Sequence, residues 1–179
     1  MLLKQLGIPF EVMAPDVDEA HITGESPEEY VIRLSRMKAL DVYGRRQQEN
    51  IEQVPVLGAD TAVVLDGEIL GKPDDRNHGE AMLRKLSGKT HEVLSALSLH
   101  YRNYENSRLS VSRVSFTVLS HEDIEAYWET GEPGDKAGAY GIQGHAAAFI
   151  KSIEGSYSGV VGLPLYELSQ MLQEMESES

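Results

Sequence analysis

The spacing of apolar and polar positions along the chain predicts helices interleaved with strands. Residues 1–7 read as the last two turns of a helix closed by Gly7, and Ile8–Met13 as a short strand. Ala14–Gly24 is a polar loop carrying Asp16, Asp18, Glu19 and His21. Ser26-Pro27-Glu28-Glu29 is a capping box with proline at the first helical position, so a helix starts there. Tyr30, Val31, Leu34, Met37, Lys38 and Leu40 follow at helical spacing. The helix is expected to reach about Tyr43, with Gly44–Gln53 as a polar linker.

Pro55–Pro73 holds a hairpin. An apolar strand runs into the small step Gly58-Ala59, then Asp60 and Thr61. A second strand, Ala62–Leu65, meets the turn Asp66-Gly67, and a return strand, Glu68–Leu70, leads to Lys72 and Pro73. Asp-Gly between apolar runs favours a type I′ turn, which needs positive φ at both central residues. Asp74 and Asp75 offer caps to a helix over His78–Leu86, which Ser87-Gly88 ends.

Thr90–Tyr101 and Arg108–Leu119 read as strands joined by a loop at Arg102–Asn106. Ser120 with Glu122 and Asp123 opens a helix whose face is Ile124, Tyr127 and Trp128. Thr130–Gly144 reads as a functional loop, Ala146–Ile153 as a strand and Tyr157–Val161 as a short strand. Gly162-Leu163-Pro164 starts a last helix to about Glu174, after which the acidic tail is expected to fray. Helices interleaved with strands make the class α/β with a mixed sheet.

With 179 residues the chain suits one well-buried core better than two domains. No window reaches the roughly 20 apolar residues of a membrane span, and the start MLLKQLGIPF lacks the parts of a signal peptide. The absence of cysteine excludes disulfides, thiolate metal sites and a cysteine nucleophile. Together these point to the cytoplasm. A net charge of −13 disfavours binding to a nucleic-acid backbone but not to a small phosphorylated substrate, which needs only a few local cations.

The familiar dinucleotide, P-loop, zincin and nucleophile-elbow motifs are absent, and the six histidines show no ligand spacing. Acids and lysines remain. Asp60, just past a small-residue step, is either a chemical carboxylate or a turn cap. Glu19, after Asp16 and Asp18, is either a solvated loop acid or part of an oxygen-only site for a hard cation. Lys38 on its helix is either a snorkelling side chain or a functional cation. Lys72, stiffened by Pro73, suits a fixed cation facing a phosphate; the plain reading is an exposed lysine after a strand. Gly134–Gly144 packs four glycines and two alanines into eleven residues. That run lets backbone amides line a pocket, and its Gln143 offers both donor and acceptor to a base edge.

Gly58-Ala59-Asp60-Thr61, Gly71-Lys72-Pro73, Leu86-Ser87-Gly88-Lys89-Thr90-His91, Asp135 through Gly144 and Val161-Gly162-Leu163-Pro164 stand in an order and spacing that resembles the Maf family of nucleoside-triphosphate pyrophosphatases. The similarity covers essentially the whole chain, and Gly-Ala-Tyr-Gly-Ile-Gln-Gly resembles the branch that hydrolyses dTTP and UTP. The resemblance implies a mixed twisted β-sheet flanked by helices, of the inosine-triphosphatase kind, with a cleft between two lobes. It implies one domain over residues 1–179, N-terminally incomplete, because family members begin with a strand and a Ser-x-Ser-Pro-Arg-Arg loop leading into the helix that this sequence enters at Leu2.

The implied reaction is hydrolysis of a nucleoside triphosphate (dTTP, UTP, with CTP or modified pyrimidine nucleotides as further candidates) to monophosphate and pyrophosphate, with a divalent cation, Mg²⁺ or Mn²⁺. Asp60 falls on the family's catalytic acid and Glu19 on its second essential carboxylate, the two being the metal ligands as well. Lys38 and Lys72 match lysines that hold the triphosphate, and Thr61 and Gln143 match positions linked to base choice. A homodimer is left open. The alternative of another class is a non-catalytic nucleotide-binding or cell-division regulatory protein.

Overall fold

The computed structural model describes residues 2–49, 51 and 53–178; expectations for Met1, Asn50, Glu52 and Ser179 lie outside the described residues. A 3₁₀ turn, Leu2–Leu6, is followed by a long segment without regular structure. Then come α1 (Pro27–Gln48), β1 (Val56–Leu65), β2 (Glu68–Leu70), α2 (Arg76–Leu86), β3 (Thr90–Tyr101) and β4 (Tyr104–Phe116). The chain continues through α3 (His121–Glu129), three 3₁₀ turns (Glu132–Asp135, Ala137–Ala139, His145–Phe149), β5 (Ile150–Glu154), α4 (Tyr157–Val161) and α5 (Leu165–Glu178). The strands form one sheet in the order β2-β1-β3-β4-β5, with β1–β2 and β4–β5 paired antiparallel. The α/β class is as expected. None of the described helices is long and apolar enough to cross a membrane.

The chain divides into two compact units. The first comprises residues 1–60, 95–110 and 162–179; the second comprises 61–94 and 111–161. In the first, Leu97, Leu99, Tyr104, Leu168, Met171 and Met175 form a buried cluster, and Ala39, Val42, Tyr43 and Val56 a smaller one. The core of the second is built on Val63, Leu83, Leu86, Val114, Phe116, Ile124 and Tyr127.

Several boundaries moved. The two strands expected on either side of Asp60 are one continuous strand, β1, which carries Asp60 and Thr61 in its middle. Its turn has Asp66 at φ 53° and Gly67 at φ 81°, as the Asp-Gly pair demands. Ile8–Met13 is not a strand: Pro9 removes a donor, and only Met13 packs against the smaller cluster. α1 runs past Gly44 to Gln48, and its buried face is Val31, Leu34, Ser35, Ala39 and Val42, with Leu40 exposed.

The loop expected at Arg102–Asn106 shrinks to a tight turn at Arg102-Asn103, with Arg102 at φ 53°. Of the strand expected over Ala146–Ile153, residues 146–149 belong instead to the 3₁₀ turn His145–Phe149, because three alanines carry none of the β-branched bulk that favours a strand. Tyr157–Val161 is helical rather than extended: the Ser156 hydroxyl accepts from Gly159 N at 3.0 Å, as an N-cap does. α5 continues to Glu178 where fraying was expected.

Candidate functional site

The site begins with a close approach of α1 to β1. A methyl group on Gly58 would stand 2.1 Å from the Ser35 carbonyl oxygen and 2.7 Å from the Ala39 nitrogen. Gly58 is therefore a packing glycine that lets the strand lie on the helix backbone, not a gap left for a ligand. Successive side chains of a strand alternate between faces, so Asp60 shares the helix-facing side with Gly58, while Thr61 takes the other.

Lys38 precedes Ala39 on α1, and the contact at Gly58 brings it to Asp60. Its ammonium donates to Asp60 Oδ1 at 2.6 Å and lies 2.7 Å from Glu19 Oε1. Three residues scattered through the sequence thus meet, with Lys38 between the two carboxylates. Asp60 is the most enclosed of them (9% of its side chain exposed), Lys38 is intermediate at 17%, and Glu19 faces solvent at 51%. Burial alone would depress the Lys38 ammonium, but the hydrogen bonds to Asp60 and then Glu19 outweigh it, and its pKa is raised. Lys38 stays charged.

Glu19 stands on a loop without regular structure, and α1 holds that loop at several points. The Tyr30 hydroxyl donates to the Glu19 carbonyl at 3.2 Å, and its ring stacks on His21, with centroids 4.1 Å apart. Arg33 donates to the Ala20 carbonyl at 3.1 Å and grips Glu25 through two nitrogens, at 2.5 and 2.8 Å. The guanidinium holds Glu25 below the usual carboxylate range. Further along, Asp41 accepts from Asp16 N and Arg45 donates to the Ala14 carbonyl. Burial, then the charges of Asp60 and Glu19, push the Tyr30 hydroxyl up. None of these tethers was anticipated from the sequence; a tyrosine and an arginine at i, i+3 beside a polar loop are the only signal for them.

The remaining residues of interest lie in the second unit. Thr61 is half-buried in β1. Lys72 is exposed in the segment after β2, where the Gly71 carbonyl accepts from Gly138 N at 3.0 Å. Asp135 is held below its ordinary range chiefly by Lys136, 2.6 Å away, with a smaller contribution from Lys72. Gln143 is exposed in the turn Gly141–Gly144, whose Gly144 N donates to the Gly141 carbonyl at 3.1 Å.

Leu86–His91 is structural. The Ser87 hydroxyl accepts from Leu119 N at 2.7 Å, and Gly88 N donates to the Thr117 carbonyl at 2.9 Å. His91 Nε2 shares a 2.7 Å hydrogen bond with the Tyr140 hydroxyl in the core. Burial lowers the His91 pKa to about 4 and pushes the Tyr140 hydroxyl up.

Glu19 and Asp60 are the oxygen donors a hard cation would use. Among the described residues no group of three or more His, Cys, Asp or Glu could hold a metal by itself. Two carboxylates fit an ion such as Mg²⁺, which takes one or two protein carboxylates and completes its shell with water and substrate phosphate.

The chain matches the family of Maf-like proteins over residues 1–175. A dTTP/UTP pyrophosphatase of Alkalilimnicola ehrlichii is 52% identical over 176 residues, covering 98% of this chain and 87% of the relative. Proteins of the same name from Nitrosomonas europaea (97% of this chain, 87% of the relative) and Vibrio cholerae (96% and 89%) are 50% and 48% identical.

Proposed function

The chain belongs to the Maf family, and on that premise we propose that it hydrolyses pyrimidine nucleoside triphosphates, dTTP and UTP foremost, to the monophosphate and pyrophosphate. The observation that carries the reading is Lys38 between Glu19 and Asp60, at 2.7 and 2.6 Å: two carboxylates and a charged ammonium gathered at a small-residue step. A structural ion pair needs one carboxylate, whereas hydrolysis of a phosphoanhydride uses both a base and a cation.

In the proposed reaction Asp60 orients a water molecule and takes its proton as the oxygen attacks the α-phosphorus. The new bond joins that oxygen to the α-phosphorus, the bridge between the α- and β-phosphates breaks, and pyrophosphate leaves with the bridging oxygen. Lys38 supplies positive charge beside the attacking group, and Lys72 is assigned to the triphosphate. Glu19 and Asp60 would hold a divalent cation, which when bound neutralises phosphate charge. Thr61 and Gln143 are assigned to the base. The cytoplasm is the proposed location.

The test is product analysis. Incubation with dTTP, UTP and CTP plus Mg²⁺ or Mn²⁺ is expected to release monophosphate and pyrophosphate. Release of orthophosphate alone, or no turnover of any pyrimidine triphosphate, overturns the reading.

A further inference from the structure

From Ala137 to Gly144, Gln143 is the only residue with an exposed side chain; Gly138, Ala139, Tyr140 and Ile142 are buried and the rest are half-buried. The turn that lifts Gln143 to the surface is fixed at both ends by side chains from outside it. At its start, Gly141 N donates to the Tyr127 hydroxyl at 3.2 Å. At its far end, both oxygens of Glu132 accept from His145 N, at 3.1 and 3.0 Å, and Oε1 also meets His145 Nδ1 at 2.5 Å. The His145 ring and amide hold the Glu132 carboxyl below its ordinary range.

Gly144 makes the second anchor feasible. A methyl group there would stand 2.2 Å from Glu132 Oε2 and 2.5 Å from Oε1, so the carboxylate occupies the space that any other residue would fill. Gly144 has φ −110° and ψ −151°, extended backbone open to any residue. Its glycine serves the carboxylate and not the chain direction.

We infer that Glu132 is a positioning residue for substrate choice: its carboxylate locks the Gly141–Gly144 turn and thereby sets the amide of Gln143 against the base. This rests on the reading of Gln143 as the base-facing residue. An amide can read a pyrimidine edge only if its donor and acceptor ends are held in register, and a flexible turn would let either end present itself. Glu132 acts through Gln143 and touches no reacting atom, so its loss is expected in discrimination between bases before it is expected in the chemical step.

The experiment compares kcat/KM for dTTP, UTP and CTP in the wild-type chain and in Glu132→Ala, Glu132→Gln, Gly144→Ala and Gln143→Ala. Glu132→Ala is expected to reduce the preference for the better pyrimidine about tenfold, as loss of one oriented hydrogen bond would. The change should lie in KM for the preferred base more than in kcat. Gly144→Ala displaces the carboxylate without altering it and should reproduce the effect, which guards against a Glu132→Ala chain that fails to fold. Glu132→Gln retains one acceptor for His145 N and should restore part of the preference. Adding Gln143→Ala to Glu132→Ala should cost no further discrimination.

Equal losses for all three substrates in both Glu132→Ala and Gly144→Ala would overturn the positioning role and leave Gln143 as the base reader. An unchanged preference in Gln143→Ala would overturn the base reading itself and, with it, the role of Glu132.

Discussion

Gly58 and Ser35 touch backbone to backbone: a methyl group on Gly58 would stand 2.1 Å from the Ser35 carbonyl oxygen. The neighbours on that side are backbone atoms of α1, which cannot swing away as a side chain could. Gly58→Ala must push strand and helix apart, and it is expected to cost about 1–3 kcal/mol, the usual range for overpacking. The same movement carries Lys38 away from Asp60. Urea unfolding read beside pyrimidine triphosphate hydrolysis checks both effects. A variant with unchanged stability and unchanged turnover would show that the contact has no consequence.

Lys38 faces two carboxylates, so removing its charge leaves two like charges together with one of them enclosed. Lys38→Met is expected to lower kcat/KM for dTTP by about 10²-fold or more. Lys38→Arg should recover little, because a planar fork cannot replace a compact ammonium between two acids. Asp60→Asn keeps the shape of the site and removes the base, and should lower kcat by roughly 10²–10⁴-fold with little loss of stability. Steady-state kinetics with a melting curve separate these outcomes, and appreciable turnover by Asp60→Asn would remove Asp60 from the role of base.

The loop that carries Glu19 has no secondary structure of its own, so its geometry is borrowed from α1 through Tyr30 and Arg33. Tyr30→Phe keeps the ring that stacks on His21 and deletes only the hydrogen bond to the Glu19 carbonyl. It is expected to lower kcat a few-fold, the worth of one net hydrogen bond. Arg33→Ala releases the Ala20 carbonyl and Glu25 together and should lower kcat about tenfold or more. In a Glu19→Gln background both effects should shrink, because residues that act through one group are not additive. Full additivity would mean that Tyr30 and Arg33 support the fold and not Glu19.

The fold and the site were legible to different depths. Capping boxes at Ser26 and Ser120, the Asp66-Gly67 turn and the strand Thr90–Tyr101 follow from local chemistry, and the structure keeps them. The Ser156 cap is equally local, and in the structure it outweighs the strand-like residues of Tyr157–Val161. What failed elsewhere was long-range: whether Ile8–Met13 finds a partner strand is not written in those residues. The meeting of Glu19, Lys38 and Asp60 was likewise invisible in spacing and came only from the family resemblance. The small step at Gly58 is visible in the sequence, but its cause, the helix lying against it, is not. The tethers from Tyr30, Arg33 and Glu132 escaped because each joins a loop to an element distant in sequence, and such a loop carries no periodic signal.

His91 links pH to stability. Its ring is buried with Nε2 on the Tyr140 hydroxyl and Nδ1 without a hydrogen-bond partner among the described residues, and burial lowers its pKa from 6.5 to about 4. The unfolded chain therefore takes up this proton first as pH falls. Between pH 6.5 and about pH 4 the unfolded state binds more protons at this group than the folded state, so stability declines with falling pH across that window. Above about pH 7.5, a unit beyond the unfolded pKa, His91 contributes almost no slope. Within the window the slope is at most about 1.4 kcal/mol per pH unit. His91→Gln keeps a hydrogen-bond partner for Tyr140 but cannot titrate. Urea unfolding at several pH values between about 8.5 and 5 should give a steeper decline for the wild-type chain than for His91→Gln, with the two curves parallel above about 7.5. Other titrating groups are common to both chains and cancel in the difference. Curves parallel throughout would mean that His91 titrates alike in the folded and unfolded chain, and that its burial against Tyr140 carries no linkage to pH.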